Sequence, residues 1–367
     1  MNDIDYMKKA ISLAKRGEGF VNPNPMVGAV IVKDNEIIGE GYHKIYGDLH
    51  AERNALANCI KSPVDSTIYV TLEPCCHYGK TPPCTEAIIK SGIKKVVIGS
   101  FDPNPMVAGK GIQCLKKAGI EVVEGFMKEE CDEINEVFFH YITKKIPYVV
   151  MKYAMTMDGK IATSTGESKW ITGEKARKNV HELRHKYSGI MVGVGTVIKD
   201  NPMLNCRLDN MKNPIRIICD TNLRTPIESN IVTTSKEIET IIATSSNEES
   251  LLKLYKDKGC RIVKVSKKDE VLDLKELMNK LGELNIDSIL LEGGGTLNWS
   301  ALNSGIVNKV QVYIAPKIFG GKNAKTPVEG LGIKEISKEI KLKNKVIKNI
   351  GDDILIESEV INECLQE

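Results

Sequence analysis

Three cysteines lie close together in the stretch TLEPCCHYGKTPPCTE, at Cys75, Cys76 and Cys84. Upstream, LHAERNAL places His50 two residues before Glu52. A disulfide, a metal site and a set of buried thiols are the alternatives for this arrangement. One His and two Cys make a three-ligand zinc site with a fourth position left for water, which is typical of a catalytic zinc rather than a structural one.

Such a site predicts hydrolytic chemistry. Zinc lowers the pKa of a bound water towards ~7, so hydroxide forms at neutral pH. Glu52 is placed to carry a proton from that water to a leaving amine. The alternative is a pair of core thiols and a surface His, which the joint spacing disfavours.

The His-x-Glu…Pro-Cys…Cys pattern resembles the zinc-dependent nucleobase deaminases, whose signature is H-x-E…P-C-x-x-C. Either Cys75 or Cys76 could bind the metal, and Cys75 is favoured because it follows Glu-Pro directly, as the signature requires. The second cysteine departs from the signature, since it comes nine residues after the first. The predicted metal ligands are therefore His50, Cys75 and Cys84, and the predicted catalytic residue is Glu52.

The longer loop narrows the resemblance. Together NPNPMVGAVIV, HAE, TLEPCCHYGKTPPC and DPNPMVAGKG resemble the deaminase half of the bifunctional riboflavin-biosynthesis deaminase/reductase family. Cys76 departs from the usual residue of that family, and so does Arg53, which we expect to point away from the site. By matching positions the resemblance implies substrate contacts from Asn24, His43, Lys80, Thr81, Asp102 and Asn104. Judged alone, Lys80 is an exposed loop lysine and FDPNP is a turn after a strand.

Two glycine signals compete for a second site. GVGTVI at residues 193–198 lacks the third glycine of a dinucleotide fingerprint and does not lead into a clear helix. In LLEGGGTLNWSAL an apolar strand ends in three glycines and a helix begins nearby. Free backbone N–H groups at such a junction can hold a pyrophosphate, although a tight turn would have the same sequence.

Five segments decide between these alternatives: MKYAMTMDGKIAT, GESKWIT, GVGTVIKDNPMLNCR, IICDT and LEGGG resemble the reductase half of the same family. That half implies a dihydrofolate-reductase-like fold and NADPH. Matching positions imply cofactor contacts from Ala154, Trp170, Thr172, Thr196, Asp200, Thr221, Gly294, Gly295 and Thr296. They imply substrate contacts from Ser168, Arg184, Leu204, Arg207 and Glu292.

Local explanations exist for some of these residues. Trp170 could be a core aromatic, Thr172 could cap the helix that follows, and Asp200 could cap the NPML turn. Arg184 and Arg207 suit a phosphate clamp because guanidinium groups pair bidentately with oxyanions. No convincing general acid is visible, so catalysis here would depend mainly on positioning the hydride donor and the sugar.

The elements that would position these residues divide into two α/β domains, 1–145 (zinc deaminase) and 146–367 (NADPH reductase). In the first, VGAVIV and EIIGEGY form a hairpin, and strands alternate with helices from HAERNALANCI onwards. The pattern predicts a three-layer, cytidine-deaminase-like domain. In the second, YVVMKYAMTMDGKIAT is a strand and TGEKARKNVHELRHKY is a helix whose Ala176, Val180, Leu183 and Tyr187 share a face.

Composition limits the possible partners. The 367 residues carry a formal net charge of +3, too balanced to indicate a nucleic-acid or membrane partner. The ten cysteines are scattered and no apolar segment indicates a secretory signal, so we expect a reduced, cytoplasmic protein. The Lys-rich KLKNKVIKN is expected to be a solvated face. We expect a small phosphorylated pyrimidine as substrate and a homo-oligomer.

The expected function is deamination of a diaminopyrimidinone ribosyl phosphate, followed by NADPH-dependent reduction of the ribosyl group to ribityl. One alternative is a zinc deaminase of cytosine or adenine type with an unrelated second domain. Another is a non-enzymatic, zinc-stabilised interaction module, in which Glu52 would have no role.

Overall fold

The computed structural model describes residues 1–78, 82–105 and 107–361. It divides into two compact units, Met1–Lys145 and Ile146–Glu367. Within the described ranges no helix combines the length and the apolar character needed to cross a membrane.

The first unit is built on a five-stranded sheet, counted over the described residues, with the order β2-β1-β3-β4-β5. Its strands are β1 (Gly28–Lys33), β2 (Glu36–Tyr42), β3 (Thr67–Leu72), β4 (Lys95–Ser100) and β5 (Glu121–Val123). The antiparallel β1–β2 hairpin is present as predicted, and β3, β4 and β5 are parallel. Parallel strands bring their carboxyl ends to one edge, so the segments after β3 and β4 lie near each other.

Helices cover both faces of this sheet. They are α1 (Asp3–Lys15), α2 (Ala51–Ala57), α3 (Cys84–Lys90), α4 (Lys110–Lys117), α5 (Lys128–Glu133) and α6 (Glu136–Lys144). Along β1, Ala29 and Ile31 pack with α2, α3 and α4, whereas Val30 and Val32 pack with α1. This alternation is the period-two pattern of a strand buried on both faces. The unit is therefore the three-layer α/β structure that the sequence predicts.

Two local features of the first unit follow from its sequence. Gly92 has a φ of 73° directly after the C-cap of α3, which is the left-handed position that favours glycine. On α1, Met7, Ile11 and Ala14 are buried, but Ile4 is 47% exposed. Ile4 lies in the first helical turn, beyond the edge of the core.

The second unit is built on a sheet that has nine strands over the described part of the chain. Its order is β10-β9-β8-β7-β13-β6-β14-β16-β15, and only the last two strands are antiparallel to their neighbours. The strands are β6 (Tyr148–Thr156), β7 (Gly189–Gly193), β8 (Ile215–Cys219), β9 (Thr240–Thr244), β10 (Arg261–Lys264), β13 (Ser288–Leu291), β14 (Lys309–Ala315), β15 (Leu342–Ile350) and β16 (Asp353–Val360). A separate hairpin consists of β11 (Lys267–Lys268) and β12 (Val271–Leu272).

Helices also lie on both faces of the second sheet. They are α7 (Glu174–Lys186), α8 (Val194–Asp200), α9 (Asn230–Thr233), α10 (Glu249–Lys258), α11 (Leu274–Glu283) and α12 (Gly295–Asn303), with a 3₁₀ turn at Ile336–Lys338. Neighbouring residues of β7 belong to different cores: Met191 packs with α11, and Val192 packs with α8 and α10. Of the face predicted for α7, Ala176, Leu183 and the C-cap Tyr187 are buried, whereas Val180 is half-buried.

Three expectations for the second unit are corrected. GVGTVI does lead into a helix, because α8 begins at Val194 directly after β7. Thr172 is not the cap of α7: the N-cap is Gly173, which makes no side-chain cap and whose N–H donates to Asp353. Asp200 is the last residue of α8 rather than a cap of the next turn. KLKNKVIKN is solvent-exposed as expected, yet it forms most of the edge strand β15.

Candidate active sites

The deaminase motif residues meet where β3 ends and two helices begin. His50 is the N-cap of α2, Cys84 is the first residue of α3, and Cys75 follows β3. The Cys75 Sγ lies 3.6 Å from the His50 Nδ1, and the Cys84 Sγ lies 3.4 Å from the same nitrogen. All three ligand atoms lie within 4.8 Å of one another.

These distances fit a zinc ion. Zn–S bonds of about 2.3 Å and Zn–N bonds of about 2.0–2.1 Å in a tetrahedron put a sulfur and a nitrogen ligand roughly 3.6 Å apart. The two measured sulfur–nitrogen distances agree with that value. The described residues offer His50, Cys75 and Cys84 as the ligand group, with no fourth protein ligand among them. A three-ligand set is the catalytic type of zinc site.

The electrostatics favour thiolate at Cys75. The Cys84 thiol and the Cys84 backbone N–H, which lies 3.3 Å from the Cys75 Sγ, both donate to this sulfur. These bonds and the nearby His50 outweigh burial and lower the pKa of Cys75 to about 4. The pKa of Cys84 is raised correspondingly by its hydrogen bond to Cys75. The hydrogen bond to Cys75 also raises the pKa of His50.

Glu52 lies in the first turn of α2 and is only 3% exposed. Burial and the nearby Cys75 raise the pKa of its carboxyl group, which is in hydrogen-bond contact with the Cys84 thiol. A buried carboxyl group beside three metal-type ligands is poorly explained by stability, because removing an acid from water is costly. Its position suits proton transfer.

Other predicted deaminase residues surround this cluster. The Asn24 Nδ2 lies 3.3 Å from the His43 Nε2, and the His43 ring contacts the His50 ring edge-on at 5.5 Å between centroids. Asp102, which follows β4, is 9% exposed, and burial raises its pKa to about 6. The backbone N–H of Asn104 donates to the Asp102 Oδ1. Lys80 and Thr81 lie outside the described residues.

Arg53 has a contact that the sequence did not predict. Its guanidinium donates to the backbone carbonyls of Pro82 and Pro83, at 3.1 and 3.0 Å. These bonds fix the turn that delivers Cys84, and the Arg53 charge is close enough to His50 to oppose the rise in the pKa of that ring. Cys76 is not part of the ligand cluster.

The second unit contains a cavity of about 520 Å³ at the carboxyl ends of β7, β8 and β13. This is the edge at which open parallel sheets bind their ligands. Gly294 is the N-cap of α12, so the EGGG segment forms a strand-to-helix junction with free backbone N–H groups. The predicted residues that line the cavity are Ser168, Thr196, Asp200, Thr221, Glu292, Gly294, Gly295 and Thr296.

Six predicted reductase residues are not among the residues that line this cavity: Ala154, Trp170, Thr172, Arg184, Leu204 and Arg207. Arg184 is linked to it through Glu292, with nitrogen–oxygen distances of 2.8 and 3.1 Å in a bidentate pair. Arg184 and Arg207 both bind Asn205, at its backbone carbonyl and its side chain respectively, so the two guanidinium groups are neighbours. Leu204, in the same loop, is buried with a φ of 51°.

The remaining three take different positions. Trp170 is 61% exposed, and the Arg177 guanidinium stacks on its ring at 4.8 Å, so it is not a core aromatic. Thr172 is nearly buried, and its carbonyl accepts a hydrogen bond from Arg177. Ala154 is part of β6, beside β14.

Sequence reasoning missed Lys152 in this site. Its ammonium lies 3.6 Å from the Glu292 carboxylate, with both side chains 13% exposed. Burial lowers the pKa of Lys152, although Glu292 opposes the shift. The signal was present in MKYAM, where a lysine interrupts an apolar strand beside the predicted site.

Comparison with known proteins matches both units of the chain to protein families. Residues 1–100 match the cytidine and deoxycytidylate deaminase zinc-binding region, and residues 147–356 match the RibD C-terminal domain. The riboflavin biosynthesis protein RibD of Actinobacillus pleuropneumoniae is 57% identical over 362 residues, covering 99% of this chain and 96% of the relative. That of Aquifex aeolicus is 45% identical, covering 96% of this chain and 97% of the relative.

Two solved structures resemble the chain along almost its full length. A diaminohydroxyphosphoribosylaminopyrimidine deaminase/5-amino-6-(5-phosphoribosylamino)uracil reductase from Thermotoga maritima is 40% identical, with a TM-score of 0.85, covering 97% of this chain and 98% of that chain. Acinetobacter baumannii RibD, form 1, is 36% identical with a TM-score of 0.87, and the match covers 98% of each chain. The match of the second unit excludes the alternative of a deaminase joined to an unrelated domain.

Proposed function

Because the chain belongs to the RibD family of riboflavin biosynthesis proteins, we propose how its own residues share the two reactions of that family. It is a bifunctional enzyme that deaminates a diaminopyrimidinone ribosyl phosphate and then reduces the ribosyl group to ribityl. Its cofactors are Zn²⁺ and NADPH. The assignment of residues to these steps is the proposal.

We assign zinc to His50, Cys75 and Cys84, on the fit of their measured distances to a tetrahedral ion. Bound there, zinc lowers the pKa of a water ligand into the neutral range. Glu52 holds and transfers protons beside this position, because its carboxyl group is buried and has a raised pKa. Asn24, His43, Asp102 and Asn104 contact the substrate, together with Lys80 and Thr81, which lie outside the described residues.

In the second unit the cavity at the end of β13 would hold NADPH, and the backbone N–H groups at the α12 N-terminus would bind its pyrophosphate. Ala154, Trp170, Thr172, Thr196, Asp200 and Thr221 complete the proposed cofactor contacts. Arg184 and Arg207, joined through Asn205, bind the phosphate end of the sugar with Ser168 and Leu204. Glu292, which Arg184 and Lys152 keep as a carboxylate, completes the proposed substrate contacts, and the Lys152 ammonium beside it bears a proton.

Two further proposals concern the setting of the enzyme. The proposed ligand set requires two reduced cysteines, which favours a reducing compartment such as the cytoplasm. The edge strand β15 exposes Leu342, Val346 and Ile347, at 52, 47 and 55%. Lysines along β15 oppose pairing of this edge, but its three exposed apolar side chains offer a contact surface to a second copy of the chain, and on them we base the proposed homo-oligomer.

Mass spectrometry of the products tests this assignment. The zinc-loaded protein is incubated with the diaminopyrimidinone ribosyl phosphate, first without and then with NADPH. Exchange of an amine for oxygen, followed by a gain of two hydrogens only when NADPH is present, is the expected result. No change in the first incubation would leave the His50, Cys75 and Cys84 cluster without the assigned role. Deamination without reduction would confine the assignment to the first unit.

A further inference from the structure

Glu73 is a buried carboxylate that neither proposed reaction uses. It follows β3 immediately before Pro74 and Cys75, and it is 3% exposed. Its oxygens accept four backbone hydrogen bonds: Oε1 from Gly111 and Ile112 at 3.0 and 3.3 Å, and Oε2 from Gly109 and Asp102 at 3.0 and 3.4 Å. Within the described residues, Glu73 therefore joins the end of β3 to the whole segment between β4 and α4.

Three of these bonds cap the N-terminus of α4, although Glu73 belongs to another segment of the chain. The N-cap of α4 is Gly109, which has no side chain to accept the first free N–H groups of the helix. Glu73 accepts from the N-cap itself and from the second and third helical residues, which are the groups that a capping side chain normally serves. A negative charge at a helix N-terminus is also favoured by the helix dipole.

The fit between this helix and the metal-binding turn is close. A side-chain carbon added at Gly111 would lie 2.2 Å from the Pro74 carbonyl oxygen, so the first turn of α4 packs directly on the residue before Cys75. The fourth bond extends the connection to Asp102, whose backbone N–H donates to Glu73. Asp102 in turn holds Asn104 through its side chain.

We propose that Glu73 is a positioning residue for the deaminase, which sets the distance between the substrate-binding segment 102–104 and the metal-binding turn at Cys75. This inference rests on the proposed substrate role of Asp102. The two segments lie at the ends of adjacent parallel strands, β3 and β4, and the Glu73 side chain bonds across from one to the other. A single carboxylate with four donors fixes their separation, and the substrate must span that separation to bind.

The test replaces Glu73 with glutamine, which keeps one acceptor oxygen and turns an NH₂ group towards the donors of the other. The expected result is a rise of about ten-fold in the deaminase KM, with kcat within about three-fold of the original. Zinc content and reductase activity of the same chain should stay unchanged. Loss of zinc would overturn the proposal, because Glu73 would then support the metal-binding turn itself.

Combining Glu73→Gln with Asp102→Asn distinguishes a positioning role of Glu73 from a role in stabilising α4 alone. If Glu73 acts through Asp102, then Glu73→Gln adds no more than about two-fold to the KM of the Asp102→Asn variant. Multiplication of the two effects would overturn the proposal. A matched control is Asn2→Ala, which removes the cap of α1, packed on the opposite face of the same sheet. That variant should leave the deaminase KM unchanged.

The outcomes distinguish this inference from the proposed function. If Asp102→Asn raises the KM and Glu73→Gln does not, the inference fails while the substrate site stands. If Asp102→Asn has no effect, the substrate assignment itself fails, whatever Glu73 does. Should the glutamine variant not accumulate as folded protein, Glu73→Asp carries the same test, because it keeps both oxygens and withdraws them by one methylene.

Discussion

Replacing Glu292 with glutamine should destabilise the second unit in a pH-dependent way. The Glu292 carboxylate accepts two hydrogen bonds from the Arg184 guanidinium and lies 3.6 Å from the Lys152 ammonium. The three side chains are 13–15% exposed, so solvent screens them little. Glutamine keeps the shape of the side chain but leaves two buried cations without a counter-charge, which is costly.

The magnitude follows from the pKa of the carboxyl group. Burial raises this pKa, but the charges and hydrogen bonds of Arg184 and the charge of Lys152 outweigh burial and lower it from 4.5 to about 2. At about 1.36 kcal/mol per pH unit, the difference corresponds to about 3 kcal/mol of stability at pH 7. The folded-state pKa is depressed, so this stability is present above pH 4.5 and is lost as the pH falls towards 2. At pH 3 about 1 kcal/mol of this contribution to the free energy of unfolding should remain.

The chain offers a selective probe for this measurement. Its two tryptophans, Trp170 and Trp299, both belong to the second unit. Their fluorescence therefore reports unfolding of that unit alone. Urea is the suitable denaturant because it does not screen charge. The expected difference between the original protein and the variant is about 3 kcal/mol at pH 7 and about 1 kcal/mol at pH 3.

A matched control is Glu335→Gln, the same substitution at an exposed ion pair with Lys338 in the same unit. That change should stay within about 0.5 kcal/mol. Equal unfolding midpoints for the Glu292 variant and the original protein at pH 7 would refute the reasoning. So would a deficit of the same size at pH 7 and pH 3, because the lost energy would then not come from a titrating carboxylate.

Three further predictions concern activity. Glu52→Gln should keep one zinc per chain and leave reduction unaffected, but it should lower the rate of deamination by at least about 100-fold. Zinc analysis and separate assays of the two reactions check this. Retained deamination would contradict the role assigned to Glu52. Arg207→Ala should raise the reductase KM by about ten-fold or more while leaving deamination unchanged, and equal loss of both would show that Arg207 is misplaced. Removal of zinc with a chelator should abolish deamination but leave the reduction of already deaminated substrate intact. Added zinc should then restore deamination. Loss of both activities would contradict the independence of the two sites.

The first site was largely predictable because its chemistry depends on local spacing. His50 and Glu52 are two residues apart at the start of a helix, and Cys84 follows Cys75 by only nine residues. Each pair is placed by elements whose type follows from hydrophobic periodicity. The convergence of β3, α2 and α3 then brings both pairs together. The role of Arg53 was not predictable, because its contacts are with carbonyls thirty residues away.

The second site was less predictable because its chemistry depends on charges from distant strands and helices. Glu292 follows β13, Arg184 lies on α7 and Lys152 lies on β6. These elements are adjacent only through the strand order of the nine-stranded sheet, which periodicity does not reveal. Helix α8 was also missed, because Thr196, Val197 and Ile198 are β-branched residues that favour a strand, and Asp200 and Asn201 before Pro202 are weak helix formers. The strand β15 was missed because its exposed lysines hide the pattern of a sheet edge.

The contacts of Glu73 could not be predicted from the sequence. Its position beside Pro74 and Cys75 is plain in the sequence, yet its four partners are all backbone N–H groups, which carry no sequence signal. The one trace is the absence of a capping side chain at Gly109, where a helix of this kind would need one. A helix start without its own cap is therefore a reason to look for a buried acid from another segment. In this chain that acid lies two residues before Cys75, the proposed metal ligand, so the cap of α4 also connects the proposed substrate segment to the proposed metal-binding turn.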